Sequence, residues 1–160
     1  MSDTHIGGRR SGRVLPPALR RACEQADLIL HGGDVTAPAV LDELEGYAPV
    51  QAVLGNVDGW DLAERLPEQR VVDLGVLRLG MVHDPGPERG RAARLAGRFP
   101  GCAIVVFGHT HLPECRTDGG VLLLNPGSPT ERRRAPMHSY ALLDVAADGS
   151  FDARLVPLEG

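Results

Sequence analysis

The stretch Val105–Glu114 carries two histidines that could act together. The apolar run Ala103–Phe107 predicts a buried strand, because β-branched and aromatic side chains fit a pleated surface that is covered on both faces. Gly108 allows a tight turn at the end of this strand. Residues two apart in an extended segment point the same way. His109 and His111 could therefore direct two imidazoles to one place, an arrangement that suits a late first-row transition metal.

An isolated His-x-His pair usually belongs to an ordinary polar loop, so the interpretation depends on the rest of the chain. Seven side chains of metal-ligand type follow predicted strands or stand at the front of the chain: Asp3, His5, Asp34, Asn56, His83, His109 and His111. In open α/β sheets the ligand site lies off the carboxyl ends of the strands, so residues distant in sequence would meet there. Nitrogen and oxygen donors without thiolate suit Mn, Fe, Zn or Ni rather than Ca.

Strand and helix alternate along the first half of the chain. Apolar runs at Leu28–Leu30 and Val50–Leu54 predict short strands, and helices are predicted from Pro16 to Ala26 and over Ala39–Leu44. This alternation indicates βαβ units with parallel pairing. The second half predicts two adjacent strands within Val71–Val82, an amphipathic surface helix at Arg89–Arg98, and hairpins turning at Asp118–Gly120 and Asp148–Gly149.

Composition limits the classes of protein that the chain can belong to. Its 160 residues predict a single domain spanning residues 1–160, and 42% hydrophobic residues can form an ordinary core. A formal net charge of -4 argues against nucleic-acid binding as the main function. Three widely spaced cysteines predict free thiols in a reducing compartment. Without a long apolar run we expect no membrane span and a cytoplasmic protein, while a homo-oligomer is left open.

The motifs DTH, GGD, GNVD, VH and GHTH occur in this order and resemble those of the calcineurin-like metallophosphoesterase superfamily. The short chain and the stretch NPGSPTERR look like the small bacterial and archaeal phosphodiesterase branch of that superfamily. The resemblance covers nearly the whole chain. It implies an α/β fold, a four-layer α/β/β/α sandwich in which two mixed β-sheets face each other and helices flank them.

The resemblance also implies a centre for two divalent transition metals, with Mn foremost and Ni, Fe or Zn as alternatives. Carried over residue by residue, it implies that one metal is held by Asp3, His5, Asp34 and His111. It implies that Asp34 bridges to a second metal, completed by Asn56, His83 and His109. The implied reaction is hydrolysis of a small phosphoester, most simply a phosphodiester, by a hydroxide that bridges the metals, with Asp34, Asn56 and His109 as catalytic residues.

Two features depart from the superfamily pattern. Val57 stands where much of the superfamily has a histidine that can protonate the leaving group. Only Met1 and Ser2 precede the DTH motif, where members of the superfamily carry a strand of about five residues in the middle of a sheet. We therefore expect this first core strand to be missing and Asp3 and His5 to fray. Either the protein starts upstream of Met1, which we favour, or the first metal site is weak.

Other residues near the motifs have alternative interpretations. His31 is predicted to support a ligand rather than to bind metal, and Asp58 to hold the turn or contact a ligand, although it could also substitute as proton donor. Arg9 and Arg10 could contact a phosphodiester. Trp60 is predicted to pack rather than to stack on a base. Asn125–Ser128 is interpreted as a tight turn.

A non-catalytic scaffold on the same fold is the alternative function. The superfamily includes the retromer subunit, which acts mainly as a binding module. A scaffold is free to lose metal ligands, whereas all seven ligand positions are filled here by suitable residue types. The missing first strand is the feature that favours the scaffold.

Overall fold

The computed structural model describes residues 1–7 and 12–158. Within these ranges the chain forms helices and strands in a mixed α/β arrangement. The helices are α1 (Pro17–Glu24), α2 (Pro38–Glu45), α3 (Trp60–Ala63) and α4 (Arg91–Arg98). The strands are β1 (Ile29–His31), β2 (Val50–Ala52), β3 (Gln69–Asp73), β4 (Arg78–Val82), β5 (Ile104–Val106), β6 (Glu114–Asp118), β7 (Val121–Asn125), β8 (His138–Val145) and β9 (Phe151–Leu158).

The largest sheet has five strands in the order β3-β4-β5-β7-β6. Its three central strands are parallel, and Val106 of β5 lies opposite both Met81 of β4 and Leu124 of β7. Strands β5 and β7 are buried along their whole length, as near-continuous apolar runs in a covered parallel sheet should be. The parallel centre brings the carboxyl ends of β4, β5 and β7 to one edge of the sheet.

A second layer faces this sheet. It consists of the parallel pair β1-β2 and the antiparallel pair β8-β9. One apolar cluster joins the layers, with Met81 and Val106 of the large sheet packed near Leu30 and Leu143. A second cluster lies under α1 and α2, and a third holds α4 against the outer face of the large sheet. The predicted order of layers, helix, sheet, sheet and helix, is therefore confirmed.

The second layer consists of two separate strand pairs. Among the described residues, β1 pairs with no strand other than β2, and β8 with no strand other than β9. A cavity of about 940 Å³ lies between them and is lined by Leu28–Leu30, Tyr140–Ala147 and Met1. Segments of β1 and β8 thus line one cavity.

The predicted fraying of Asp3 and His5 is wrong. The Met1 ammonium donates to the Leu30 carbonyl at 2.8 Å, and the N–H of Asp3 donates to the Gly33 carbonyl at 2.9 Å. Asp3 is fully buried and His5 is 9% exposed. Backbone hydrogen bonds to the end of β1 therefore order the front of the chain despite the absence of a full strand.

The two predicted hairpins are confirmed, since β6-β7 and β8-β9 pair antiparallel. The two adjacent strands predicted within Val71–Val82 also pair antiparallel, as β3-β4. Helix α4 is amphipathic as predicted, with Leu95 buried, but one of its arginines is buried as well. Arg91 is buried. Its guanidinium lies 2.7 Å from the Glu114 carboxylate and 5.3 Å from the centre of the Phe107 ring. No helix in the described ranges is long and apolar enough to cross a bilayer.

Candidate metal centre

The backbone is strained at most of the predicted ligand positions. A positive φ, rare for residues other than glycine, occurs at Asp3 (55°), His5 (45°), Asp34 (56°), His109 (69°) and His111 (60°). Each such residue costs about 1–3 kcal/mol and persists where the surrounding structure imposes it. This concentration of strain indicates that these positions are kept for the geometry of a site rather than for local stability.

One cluster, which we call the first half-site, consists of Asp3, His5 and His111. The Nε2 atoms of His5 and His111 lie 3.3 Å apart, and the Nε2 atom of His111 lies 3.2 Å from Oδ1 of Asp3. The two imidazole rings stack with their centres 5.1 Å apart. All three side chains are buried, so three potential ligand atoms converge inside the protein.

The second half-site consists of Asp34, Asn56, His83 and His109. Oδ1 of Asn56 lies 3.0 Å from Nε2 of His83 and 2.8 Å from Nδ1 of His109. Asp34 and His83 are buried, whereas His109 is half-buried and Asn56 is exposed. This half-site therefore opens to solvent on the side of Asn56.

The Asp34 carboxylate joins the two half-sites. Its Oδ2 atom lies 3.6 Å from Nε2 of His5 and 3.3 Å from Nε2 of His83. Asp3 also contributes to both clusters. Its carboxylate lies close to the ligand atoms of Asp34 and His83 as well as to those of His5 and His111. All seven residues predicted from the sequence thus lie in one connected centre.

The hydrogen bonds of two imidazoles show that this donor set fits a cation. Nδ1 of His111 donates to the Glu131 carbonyl, and Nδ1 of His83 donates to the Gly32 carbonyl at 2.7 Å. In the neutral tautomers the Nε2 lone pairs then face the carboxylates of Asp3 and Asp34. Acceptors that face acceptors require a proton or a metal ion between them. A borderline divalent metal suits these nitrogen and oxygen donors.

The ionisation of the buried groups agrees with this picture. Burial alone would raise the pKa of Asp3 and of Asp34, but hydrogen bonds from His111 and Ser2 to Asp3 and from His83 to Asp34 hold both below their usual values. Burial opposes protonation of His83, yet its bond to Asp34 raises its pKa. Burial lowers the pKa of His5. The hydrogen bonds from His111, Ser2 and His83 thus favour the ionised form of both carboxylates.

Two further predicted residues support the centre through its backbone. His31 is fully buried, with Nε2 3.1 Å from Oγ1 of Thr4 and with Nδ1 accepting the N–H of Gly33 at 3.2 Å. Burial lowers its pKa to about 3, so it is neutral. The Asp58 carboxylate accepts three backbone N–H groups, from Gly55, Asp34 and Thr36. Burial raises the pKa of Asp58, and these bonds offset part of that rise.

Three expectations on other residues have different outcomes. Arg9 and Arg10 lie outside the described residues. The predicted packing of Trp60 is wrong, because this side chain is 75% exposed. Val57, which replaces a proton-donating histidine, is 46% exposed and follows Asn56 directly. The residue adjoining the open half-site is thus apolar.

The segment from Asn125 to Glu131 contributes more than a turn, and the sequence interpretation missed this. Ser128 Oγ donates to the Asp3 carbonyl at 2.7 Å and accepts the N–H of Glu131 at 2.9 Å. Thr130 Oγ1 donates to the Thr4 carbonyl. Nδ2 of Asn125 donates to the Gly108 carbonyl at 3.0 Å. The motif NPGSPTERR was the available signal, but two of its partners, Asp3 and Thr4, lie more than a hundred residues away in the sequence.

Comparison with known proteins identifies the family. The profile of the calcineurin-like phosphoesterase superfamily domain matches residues 1–148. A probable metallophosphoesterase of Methanothermobacter thermautotrophicus is 41% identical over 159 residues, which cover 98% of this chain and 89% of that protein.

Solved structures share the fold. Zinc-complexed Vps29 of Entamoeba histolytica superposes with a TM-score of 0.76 at 25% identity, covering 98% of this chain and 96% of that one. A structure described as a novel archaeal phosphodiesterase superposes with a TM-score of 0.69 at 22% identity over 98% of this chain and 97% of its own, which shows likeness of fold alone. The mixed sheets and flanking helices, the profile match and the archaeal relative agree, and the chain belongs to the calcineurin-like phosphoesterase superfamily.

Proposed function

We propose that the chain is a phosphodiesterase that uses two divalent metal ions. The observation that carries this proposal is the position of Asp34, whose carboxylate oxygen lies within 3.6 Å of imidazole nitrogens from both half-sites. A carboxylate shared between two donor clusters is what a two-metal centre for phosphoryl chemistry requires. The strained backbone at five of the ligand positions supports the same interpretation.

Each residue of the centre has a task in this proposal. The first half-site would hold one cation through Asp3, His5 and His111, the second would hold another through Asn56, His83 and His109, and Asp34 would contact both. Bound there, two divalent cations would supply an activated water and neutralise charge on the phosphate oxygens. The carbonyls of Gly32 and Glu131 hold Nδ1 of His83 and His111, so that each Nε2 atom would be free to bind a cation. Manganese is our first choice, with nickel, iron or zinc as alternatives.

The residue at position 57 shapes the substrate range. A positioned general acid typically contributes about 10²–10⁴-fold to rate, and the Val57 side chain has no proton to donate. Asp58 is occupied by three backbone N–H groups, which favours its structural role over that of a substitute acid. We therefore expect slow turnover, with preference for substrates whose leaving group departs without protonation.

The test is hydrolysis of bis-p-nitrophenyl phosphate after treatment with a chelator and addition of Mn²⁺, Ni²⁺, Zn²⁺ or Mg²⁺. Turnover should depend on the added metal and be abolished by Asp34→Asn and His109→Ala. Asp144→Asn is the matched control, because this exposed carboxylate pairs with Arg154 on the β8-β9 hairpin. Circular dichroism would establish that each variant is folded. Full turnover in both centre variants would disprove the proposal.

A non-catalytic interaction module is the second candidate. Exposed apolar side chains adjoin the centre in sequence, with Val57 46%, Trp60 75% and Leu112 47% exposed, and an exposed apolar surface is typical of a binding site. Titration calorimetry with Mn²⁺ separates the candidates. Two equivalents bound, together with turnover, support the enzyme. A folded protein that binds no divalent metal at stoichiometric level supports the module.

A further inference from the structure

We propose that Glu131, held in place by Arg13, makes the centre select singly charged phosphodiesters over doubly charged phosphomonoesters. This inference rests on the proposed function and assigns its specificity to a particular side chain. Three carboxylates face Nε2 of His5, at 4.0 Å from Asp3, 3.6 Å from Asp34 and 3.5 Å from Glu131. Asp3 and Asp34 are buried ligands in the proposal, whereas the Glu131 side chain is 29% exposed and can meet a substrate.

The backbone of Glu131 is fixed on both sides. Its N–H donates to Ser128 Oγ at 2.9 Å, and its carbonyl accepts the Nδ1–H of His111. Ser128 Oγ in turn donates to the Asp3 carbonyl. The backbone of Glu131 is therefore tied to two members of the first half-site.

The side chain is held as well. Arg13 NH2 lies 3.1 Å from Oε1 of Glu131, and Arg13 NH1 donates to the His5 carbonyl at 3.4 Å. Arg133 Nε approaches Oε2 at 3.9 Å. Because Arg13 engages Oε1, it leaves Oε2 directed at His5. The guanidinium thus orients the carboxylate and offsets only part of its charge at the centre.

Phosphomonoesters and phosphodiesters differ in the number of charged oxygens that the centre must accommodate near Glu131. A monoester dianion has three charged oxygens. When two of them are directed to the half-sites, the third charged oxygen remains to be accommodated near Glu131. A diester monoanion has two charged oxygens, and its other positions are uncharged ester oxygens. A like charge about 4 Å away changes an equilibrium roughly fivefold even with the screening of bulk water, and partial burial increases the effect. Glu131 therefore disfavours the monoester.

Glu131→Gln tests this with little change of shape. We expect the ratio of kcat/KM for p-nitrophenyl phosphate to that for bis-p-nitrophenyl phosphate to rise roughly five- to tenfold, mainly through a lower KM for the monoester. Inorganic phosphate should inhibit diester hydrolysis more strongly by a similar factor. The matched control is Glu43→Gln, which breaks a comparable ion pair with Arg20, at 3.2 Å, away from the centre.

The outcomes separate the inference from the proposed function. An unchanged ratio and unchanged phosphate inhibition in Glu131→Gln would overturn the inference while leaving the enzyme in place. Loss of bound Mn²⁺ in that variant, measured by calorimetry, would make Glu131 a metal ligand and would also overturn it. If the wild type hydrolyses neither ester, the proposed function fails. Titration of inorganic phosphate into Mn²⁺-treated wild type and Glu131→Gln then tests whether Glu131 repels the anion. Equal phosphate affinity in the two proteins, or no binding to either, contradicts a repulsive role.

Discussion

The two half-sites of the candidate centre are built differently. The first, with Asp3, His5 and His111, is buried, and the loop that follows β7 covers it and bonds to the Asp3 carbonyl and the His111 ring. The second includes Asn56, which is exposed, and His109, which is half-buried. The first half-site is thus fixed by long-range contacts, whereas the second stands at an open strand-end edge.

This difference suggests a division of labour. Buried ligands that are already oriented by hydrogen-bond partners bind an ion tightly, because they do not have to be ordered when the ion binds. An open donor set leaves room for a substrate oxygen. We therefore expect the first half-site to contribute more to stability and the second to contribute more to turnover.

The largest effect is expected where the half-sites join. Asp34→Asn should lower kcat/KM for bis-p-nitrophenyl phosphate at least about a thousandfold, because the several kcal/mol that two metals supply depend on it. Bound Mn²⁺ should fall from two equivalents to one or fewer by calorimetry. Retention of two equivalents would show that Asp3, rather than Asp34, joins the half-sites.

The next comparison removes one histidine from each half-site. His111→Ala should lower the free energy of unfolding of the metal-free protein by about 1–3 kcal/mol, since it removes a fully buried ring and the donor to the Glu131 carbonyl. His109→Ala should change it by no more than about 0.5 kcal/mol, because its ring is half-buried. Urea unfolding in the presence of a chelator measures both. Equal losses would contradict the division into a stabilising and a reactive half-site.

His31 is buried and bonds to Thr4 and Gly33, which are chain neighbours of the ligand positions, and pH tests its role. Its folded pKa is about 3, below the ordinary value of 6.5, so between these values the unfolded state binds more protons. The free energy of unfolding should therefore fall as pH drops through this window, by up to about 1.4 kcal/mol per pH unit. His31→Gln should have a shallower slope in urea unfolding at pH 7, 6 and 5. Equal slopes in both proteins would show that His31 is not held neutral.

The smallest effect concerns the loop over the first half-site. Ser128→Ala removes a hydroxyl that donates to Asp3 and accepts from Glu131, and should cost about 1 kcal/mol in urea unfolding. It should also weaken Mn²⁺ binding to the first half-site. Ser150→Ala, at the exposed β8-β9 turn, is the matched control. A loss of stability no greater than that of the control would show that the loop does not secure this half-site.

Much of the secondary structure could be predicted from the sequence, because it follows from local patterns. The glycine-containing turns at Asp118–Gly120 and Asp148–Gly149 predicted the last two hairpins, and the apolar run ending at Phe107 predicted β5 within two residues. The burial of Arg91 could not be predicted, because helical spacing does not reveal its partner Glu114 on β6. Trp60 was expected to pack because aromatic residues usually do, yet its surroundings leave it exposed.

The sequence by itself determined which residue types stand at the strand ends, and hence the seven residues that meet in the centre. It also determined the family, because five short motifs in order are carried by residue identity and spacing alone. The tertiary structure decided the rest: the left-handed backbone at the ligands, the split second layer, and the position of Glu131 beside His5. These depend on contacts between segments up to 126 residues apart, and no local pattern of propensity or periodicity encodes such contacts.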